Sequence, residues 1–273
     1  MSESCSDNCQ TCGKTCAERR EPQSMQAAPN PKSNIKKVIG VVSGKGGVGK
    51  SLVTSLIASA LAKQGKNVGI LDADITGPSI PRMFGIEGKA MGSPDGLLPV
   101  VAADDTKVMS TNLLLENDTD PVIWRGPMIA GVVKQFWSDV VWGDIDYLLV
   151  DMPPGTGDVP LTVFQSLPVD GIIVVTSPQE LVGMIVAKAV NMAEAMKVPV
   201  LGLVENMAYF VCPNCNEKHY LFGESQVDVL AQEYEIGATA QIPTNPTIAA
   251  LCDAGKVDQV DSSWLDDIVA AIV

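Results

Sequence analysis

From residue 35 onward, short β-branched runs alternate with stretches in which apolar residues recur every three or four positions. The runs at 38–42, 68–71, 147–150, 171–175 and 200–204 are apolar, as strands buried on both faces are, and 238–242, with Thr239 and Gln241, is a further strand candidate. The segments between them at 51–63, 129–140, 159–166, 179–196 and 223–233 have helical periodicity. Strands alternating with helices predict an α/β fold, a mostly parallel central sheet with helices on both faces. Ligands of such sheets bind outside the carboxyl ends of the strands. No internal repeat is found.

Residues 1–34 break the pattern. Cys, Ser, Asn, Gln and Pro dominate there, and Pro22, Pro29 and Pro31 work against regular structure. The expectation is a flexible cysteine-rich tail and linker over 1–34, ahead of one folded domain over 35–273. With 273 residues, 46% of them hydrophobic, the chain can bury a sizeable core. A net charge of -13 and a pI near 4.4 repel phosphate backbones and anionic lipid, so neither nucleic acid nor membrane is expected as a partner. No apolar run approaches the roughly 20 residues of a spanning helix. The N-terminus lacks a hydrophobic signal segment, which points to the cytoplasm. Seven cysteines in a reducing compartment read as metal ligands rather than disulfides.

The candidate chemistry sits where strands end. Gly44-Lys45-Gly46-Gly47-Val48-Gly49-Lys50-Ser51 follows the first strand and opens onto the helical pattern Leu52, Leu56, Ala60. It fits the phosphate-binding loop G-x-x-x-x-G-K-[ST] in the strand-loop-helix setting that motif requires. Glycines let backbone N–H groups approach phosphate oxygens closely. Lys50 supplies charge to the β and γ phosphates, and the Ser51 hydroxyl is a ligand for Mg2+. Lys45 is either a solvated loop lysine or a second cation for a phosphoryl group. Asp72 and Asp74 close the second strand, where a carboxylate can orient a water or balance Mg2+. Asp151 ends the 147–150 run as a Walker B aspartate does, followed by Met152-Pro153-Pro154-Gly155-Thr156-Gly157-Asp158. Alone, such an aspartate more often caps the next helix; beside a P-loop it reads as catalytic. Gly155 and Gly157 allow the loop to move when a γ-phosphate leaves.

Cys212 and Cys215 form a C-P-x-C knuckle, half of a tetrahedral shell. The residues leave open a zinc knuckle completed by His219, the only histidine, and a redox dithiol. Cys5, Cys9, Cys12 and Cys16, spaced C-x3-C-x2-C-x3-C, make a full set of four for one iron-sulfur or zinc site. Cys252 stands alone and reads as a small buried hydrophobe.

Four segments together carry a family resemblance over residues 35–255. The P-loop with its extra Lys45, the D-A-D-I-T-G-P-S-I-P run, D-M-P-P-G-T-G-D, and Val204 to Cys215 resemble the Mrp/ApbC type of iron-sulfur cluster carrier ATPase. This type belongs to the deviant Walker A group with MinD, ParA and nitrogenase reductase. The resemblance implies that Lys45 reaches the nucleotide of a homodimer partner. It implies that Asp74 belongs to switch I, residues 151–157 to Walker B and switch II, and Asn206 to the adenine site. It also implies that Cys212 and Cys215 share a 4Fe-4S cluster with the same pair of the partner, for delivery to apo iron-sulfur proteins. The tail cysteines are spaced more tightly than those of relatives that carry an N-terminal cluster. Two other readings compete: a spatial organiser like MinD or ParA, and ATP-driven electron transfer. The acidic C-terminus (residues 261–273, with no Lys or Arg) opposes the first, and the absence of cysteine from 152–166 opposes the second.

Overall fold

The computed structural model describes residues 26–74, 79–115, 126–155, 157–178 and 182–273. Eight strands form the main sheet: β1 (Asn34–Val42), β2 (Val68–Asp72), β5 (Val100–Val101), β6 (Lys107–Met109), β7 (Asp144–Asp151), β8 (Gly171–Thr176), β9 (Val200–Asn206) and β12 (Thr239–Ile242). Their order is β12-β9-β8-β1-β7-β2-β6-β5. All pair in parallel except the edge strand β5, which runs antiparallel to β6. Two small antiparallel hairpins stand apart, β3 (Met91–Ser93) with β4 (Gly96–Leu98), and β10 (Phe210–Val211) with β11 (Lys218–His219).

Successive side chains of a strand point to opposite faces, and the two halves of the core follow that alternation. Ile39 and Val41 of β1 face one hydrophobic cluster with Leu149 and Ile173, while Val38 and Val42 face the other with Leu148 and Val174. The first cluster is covered by α1 (Lys50–Lys63), α2 (Ile80–Met83), α7 (Pro246–Asp253) and α8 (Asp266–Ile272). The second is covered by α3 (Gly126–Ser138), α4 (Asp158–Ser166), α5 (Val182–Met196) and α6 (Val227–Glu233). The α/β fold with a mostly parallel sheet and two helical layers is therefore as expected.

All six expected strands form, and the differences lie at their ends. β1 starts four residues early because Asn34 and Lys36 sit on a solvated part of the ladder. Asn34 pairs with Asp144, and Lys36 Nζ lies 2.7 Å from Asp146. Polar residues at a strand end carry no apolar signal. α6 starts at Val227 rather than 223, since Gly223 has φ +96° and the Ser225 hydroxyl accepts from the Val227 N–H at 3.3 Å. The last residues of the expected linker are seated on the domain. The Ala27 N–H donates to the Ser166 carbonyl, Trp137 Nε1 donates to the Ala27 carbonyl, and Asn30 is 4% exposed. Among the described residues no helix is long and apolar enough to cross a membrane.

Candidate functional site

Five of the main strands deliver buried polar side chains to one edge of the sheet, where parallel strands end: Ser43 just after β1, Asp72 on β2, Asp151 on β7, Thr176 on β8, and Glu205 with Asn206 on β9. The loop from Gly44 to Gly49 lies over the middle of this edge and turns into α1. Gly47 and Gly49 have φ of +78° and +82°, so their N–H groups face a common concavity, and Gly49 caps α1 in the left-handed region. Those N–H groups and the positive end of the helix dipole make a ready anion site. The cleft in front measures about 340 Å³ and is walled by Gly46 through Leu52, with Asp74 and Pro154 opposite. Gly44 sits behind it against α5, where a Cβ would meet Ile185 at 2.2 Å.

Lys50 is only 5% exposed, and its ammonium lies 2.8 Å from Asp151 Oδ1 and 3.9 Å from Asp74 Oδ2. Asp151, fully buried, also accepts from Ser51 Oγ at 2.5 Å and from Thr54 Oγ1 at 2.8 Å. Lys50, Ser51, Asp74 and Asp151, expected from separate segments, thus meet in one cluster. Thr54 was not anticipated; of the two carboxylates expected at the end of the second strand, Asp74 lines the cleft and Asp72 is buried. Thr54 follows Lys50 by four residues on α1 and so shares its face, a signal the sequence does carry. Asp72 is 1% exposed; burial first, and then the charge of Asp151, push its carboxyl well above the usual carboxylate range. A raised folded-state pKa means that stability contributed by this group is present at low pH. It is lost as pH rises from about 3.8 through the folded value. Asp72→Asn should therefore raise the melting temperature at pH 7, with a gain that shrinks toward pH 4. A gain independent of pH across calorimetric scans would refute this.

Asn206 is 5% exposed and donates from Nδ2 to the Val48 carbonyl at 2.9 Å, so it braces the P-loop directly. That contact explains why position 49 must be glycine. A Cβ there would lie 2.2 Å from Asn206 Nδ2, on a backbone that L-residues rarely adopt. Gly49→Ala is expected to cost roughly 1–3 kcal/mol from the backbone alone and to weaken nucleotide binding through the displaced loop. An unchanged urea midpoint would rule it out. Lys45 is half-buried beside the cleft, and that burial pulls its ammonium below the ordinary lysine value.

Only Met207 to Tyr209 separate Asn206 from the β10–β11 hairpin, and Met207 turns the chain at φ +59°. The hairpin is closed by the Phe210–His219 pairing, by Cys212 N donating to the Glu217 carbonyl, and by Asn216 N donating to the Cys212 carbonyl. Its base is fixed by the Tyr209 ring, packed edge-on against Tyr220 at 6.4 Å and covered by the Lys218 ammonium at 4.2 Å. N–H groups of Asn214 and Cys215 point at the Cys212 sulfur and hold its thiol below the ordinary value. Cys212, Cys215 and His219 bring ligand atoms within 4.8 Å of one another. Cys252 is partly buried on α7 against the core, and burial pushes its thiol up. Cys5, Cys9, Cys12 and Cys16, residues 75–78 and Thr156 lie outside the described residues.

A glycine-rich loop between the central strand of a parallel sheet and a helix, with a buried aspartate from the next strand, defines a P-loop NTPase fold. Residues 34–273 match the ParA family model, described as NUBPL iron-transfer P-loop NTPase, and the chain belongs to that family. It is 45% identical over 257 residues to an iron-sulfur cluster carrier protein of Methanocaldococcus jannaschii, covering 92% of this chain and 89% of that one. An iron-sulfur cluster carrier protein of Saccharolobus solfataricus is 46% identical over 225 residues, 82% of this chain and 76% of that one. The structure is similar to a nucleotide-binding protein of Archaeoglobus fulgidus in complex with ADP, in which cobalt was found. The TM-score is 0.78 and the identity 49%, over 85% of this chain and 91% of that one. MinD of Aquifex aeolicus, 20% identical with a TM-score of 0.58 over 86% and 94% of the two chains, shares the fold.

Proposed function

We propose that the chain is an ATP-hydrolysing carrier that holds a 4Fe-4S cluster between two copies of itself and hands it to apo iron-sulfur proteins. The observation that carries this reading is the continuity of β9. Its last residue, Asn206, braces the P-loop at Val48, and the chain then runs in three residues into the cysteine hairpin. A change at the phosphate loop has a short, packed route to the metal ligands. The family and the cluster-carrier names of the relatives support the cargo, and the ADP of the Archaeoglobus protein supports the nucleotide.

In this reading the N–H groups of Gly46 to Ser51 bind the phosphates, and Lys50 neutralises them. Ser51 and Asp151 offer adjacent oxygens that suit Mg2+, which supplies charge neutralisation to the β and γ phosphates. Asp74, across the cleft, orients the attacking water, and Asn206 contacts the adenine. Lys45 serves the partner's nucleotide, so hydrolysis is tied to dimerisation. Cys212 and Cys215 supply two thiolates per chain, and a four-thiolate cluster then requires two chains. The segment preceding the domain carries its own metal on Cys5, Cys9, Cys12 and Cys16. The protein works in the cytoplasm. A MinD-like organising role is disfavoured by the acidic charge.

Four large apolar side chains stand exposed around the hairpin, Val211 (39%), Tyr220 (43%), Leu221 (62%) and Phe222 (57%), a patch suited to a partner. Phe222→Asp should weaken the dimer by about tenfold or more, the effect of losing ~1.4 kcal/mol at an apolar contact. Sedimentation of cluster-loaded protein measures it, and an unshifted association constant would exclude this surface. The function itself is tested by anaerobic reconstitution with iron and sulfide, followed by transfer to an apo 4Fe-4S acceptor with and without MgATP. Cluster appears in the acceptor, with a rate that ATP changes. No transfer in either condition would overturn the carrier reading.

A further inference from the structure

The hairpin presents more than two thiolates. The single histidine of the chain falls on its second strand. The Phe210–His219 pairing and the hydrogen bonds of Cys212 with Glu217 and Asn216 fix the backbone on both sides of the knuckle. With ligand atoms of Cys212, Cys215 and His219 already within 4.8 Å of one another, the approach to a tetrahedral shell is short. Metal–sulfur distances of ~2.3 Å set S–S edges of about 3.8 Å. The remaining contraction of about 1 Å or less is within reach of side-chain rotation, because Cys215 and His219 are both exposed.

We infer that each chain by itself binds one divalent metal ion of the zinc or cobalt type through Cys212, Cys215 and His219, leaving the fourth tetrahedral position to solvent or an incoming thiolate. Two thiolates and an imidazole form a borderline-soft set that suits Zn2+ and Co2+ and disfavours Mg2+ or Ca2+. This rests on the reading of the hairpin as the metal site and adds to it. The same two cysteines serve a cluster shared by two chains or a single ion held within one, and His219 belongs only to the second arrangement. An ion held this way occupies the thiolates the cluster needs, so zinc and cluster compete for the hairpin.

The test is a Co2+ titration of the full chain carrying Ser in place of Cys5, Cys9, Cys12 and Cys16, so that the tail does not contribute. The expected result is one Co2+ per chain, with thiolate-to-metal charge transfer in the near ultraviolet and the intense visible bands of tetrahedral cobalt. His219→Ala should weaken binding by at least about tenfold, as losing a direct ligand costs no less than losing its outer-shell support. His219→Cys should restore affinity and strengthen the charge-transfer band. A stoichiometry of one Co2+ per two chains, or an isotherm and spectrum untouched by His219→Ala, would overturn the inference. Iron-sulfide reconstitution of the same His219→Ala protein separates the two readings. If it takes up cluster like its parent, the carrier reading stands whatever the cobalt result. If the parent takes up no cluster yet binds cobalt through His219, the carrier reading alone fails.

Discussion

Lys50→Ala abolishes nucleotide binding, whereas Lys45→Ala leaves binding largely intact and lowers turnover by on the order of 10³-fold or more, the magnitude of a lost charge supplied in trans. Both lysines sit in one loop, and the structure separates them. Lys50, on the first turn of α1, is 5% exposed and held between Asp151 and Asp74 at the floor of the cleft. Removing it deletes the main cation for the phosphates and leaves the fully buried Asp151 without its counter-charge, a loss of roughly 3–5 kcal/mol when one member of a buried pair is removed. Lys45 is half-buried beside the cleft and is not a member of the buried Lys50–Asp151 pair. Nucleotide titration calorimetry and steady-state phosphate release on both variants, with melting curves to show that Lys50→Ala is folded, decide the matter. Parent-like turnover in Lys45→Ala would sink the role assigned to that lysine.

The second large effect is on cargo. In full-length protein whose tail cysteines are replaced by serine, Cys212→Ser or Cys215→Ser should reduce reconstituted 4Fe-4S cluster from about one per dimer to background, because two thiolates per chain leave no spare ligand. ATP hydrolysis should change by much less, since the phosphate cluster around Asp151 draws no residue from the hairpin. Iron and sulfide analysis with Mössbauer spectra measures the first effect and phosphate release the second. Four irons per monomer in either variant would contradict the shared site. The Lys45 and Cys212 variants thus probe the dimer from two independent ends.

Periodicity alone predicted the parallel sheet and its helices, because stretches of strand buried on both faces are apolar, as 38–42 of β1, 147–150 of β7 and 171–175 of β8 are. The P-loop was legible for a similar reason: its chemistry is local, and the glycines needed at positive φ and the lysine that follows them are contiguous. The short elements β3 to β6, α2, α7 and α8 were missed, since two to eight residues give too little periodicity to register. Other features became visible only in the folded chain. Thr54 on Asp151, Asp72 buried beside it and Asn206 on the Val48 carbonyl depend on which strands become neighbours, whereas His219 was already a candidate partner of Cys212 and Cys215 and the closing hairpin brings it within reach of them. The residue types along the chain determined which chemistry this protein can carry. The order of strands in the sheet decided which groups meet, because side chains about a hundred positions apart interact only once the backbone has paired their strands.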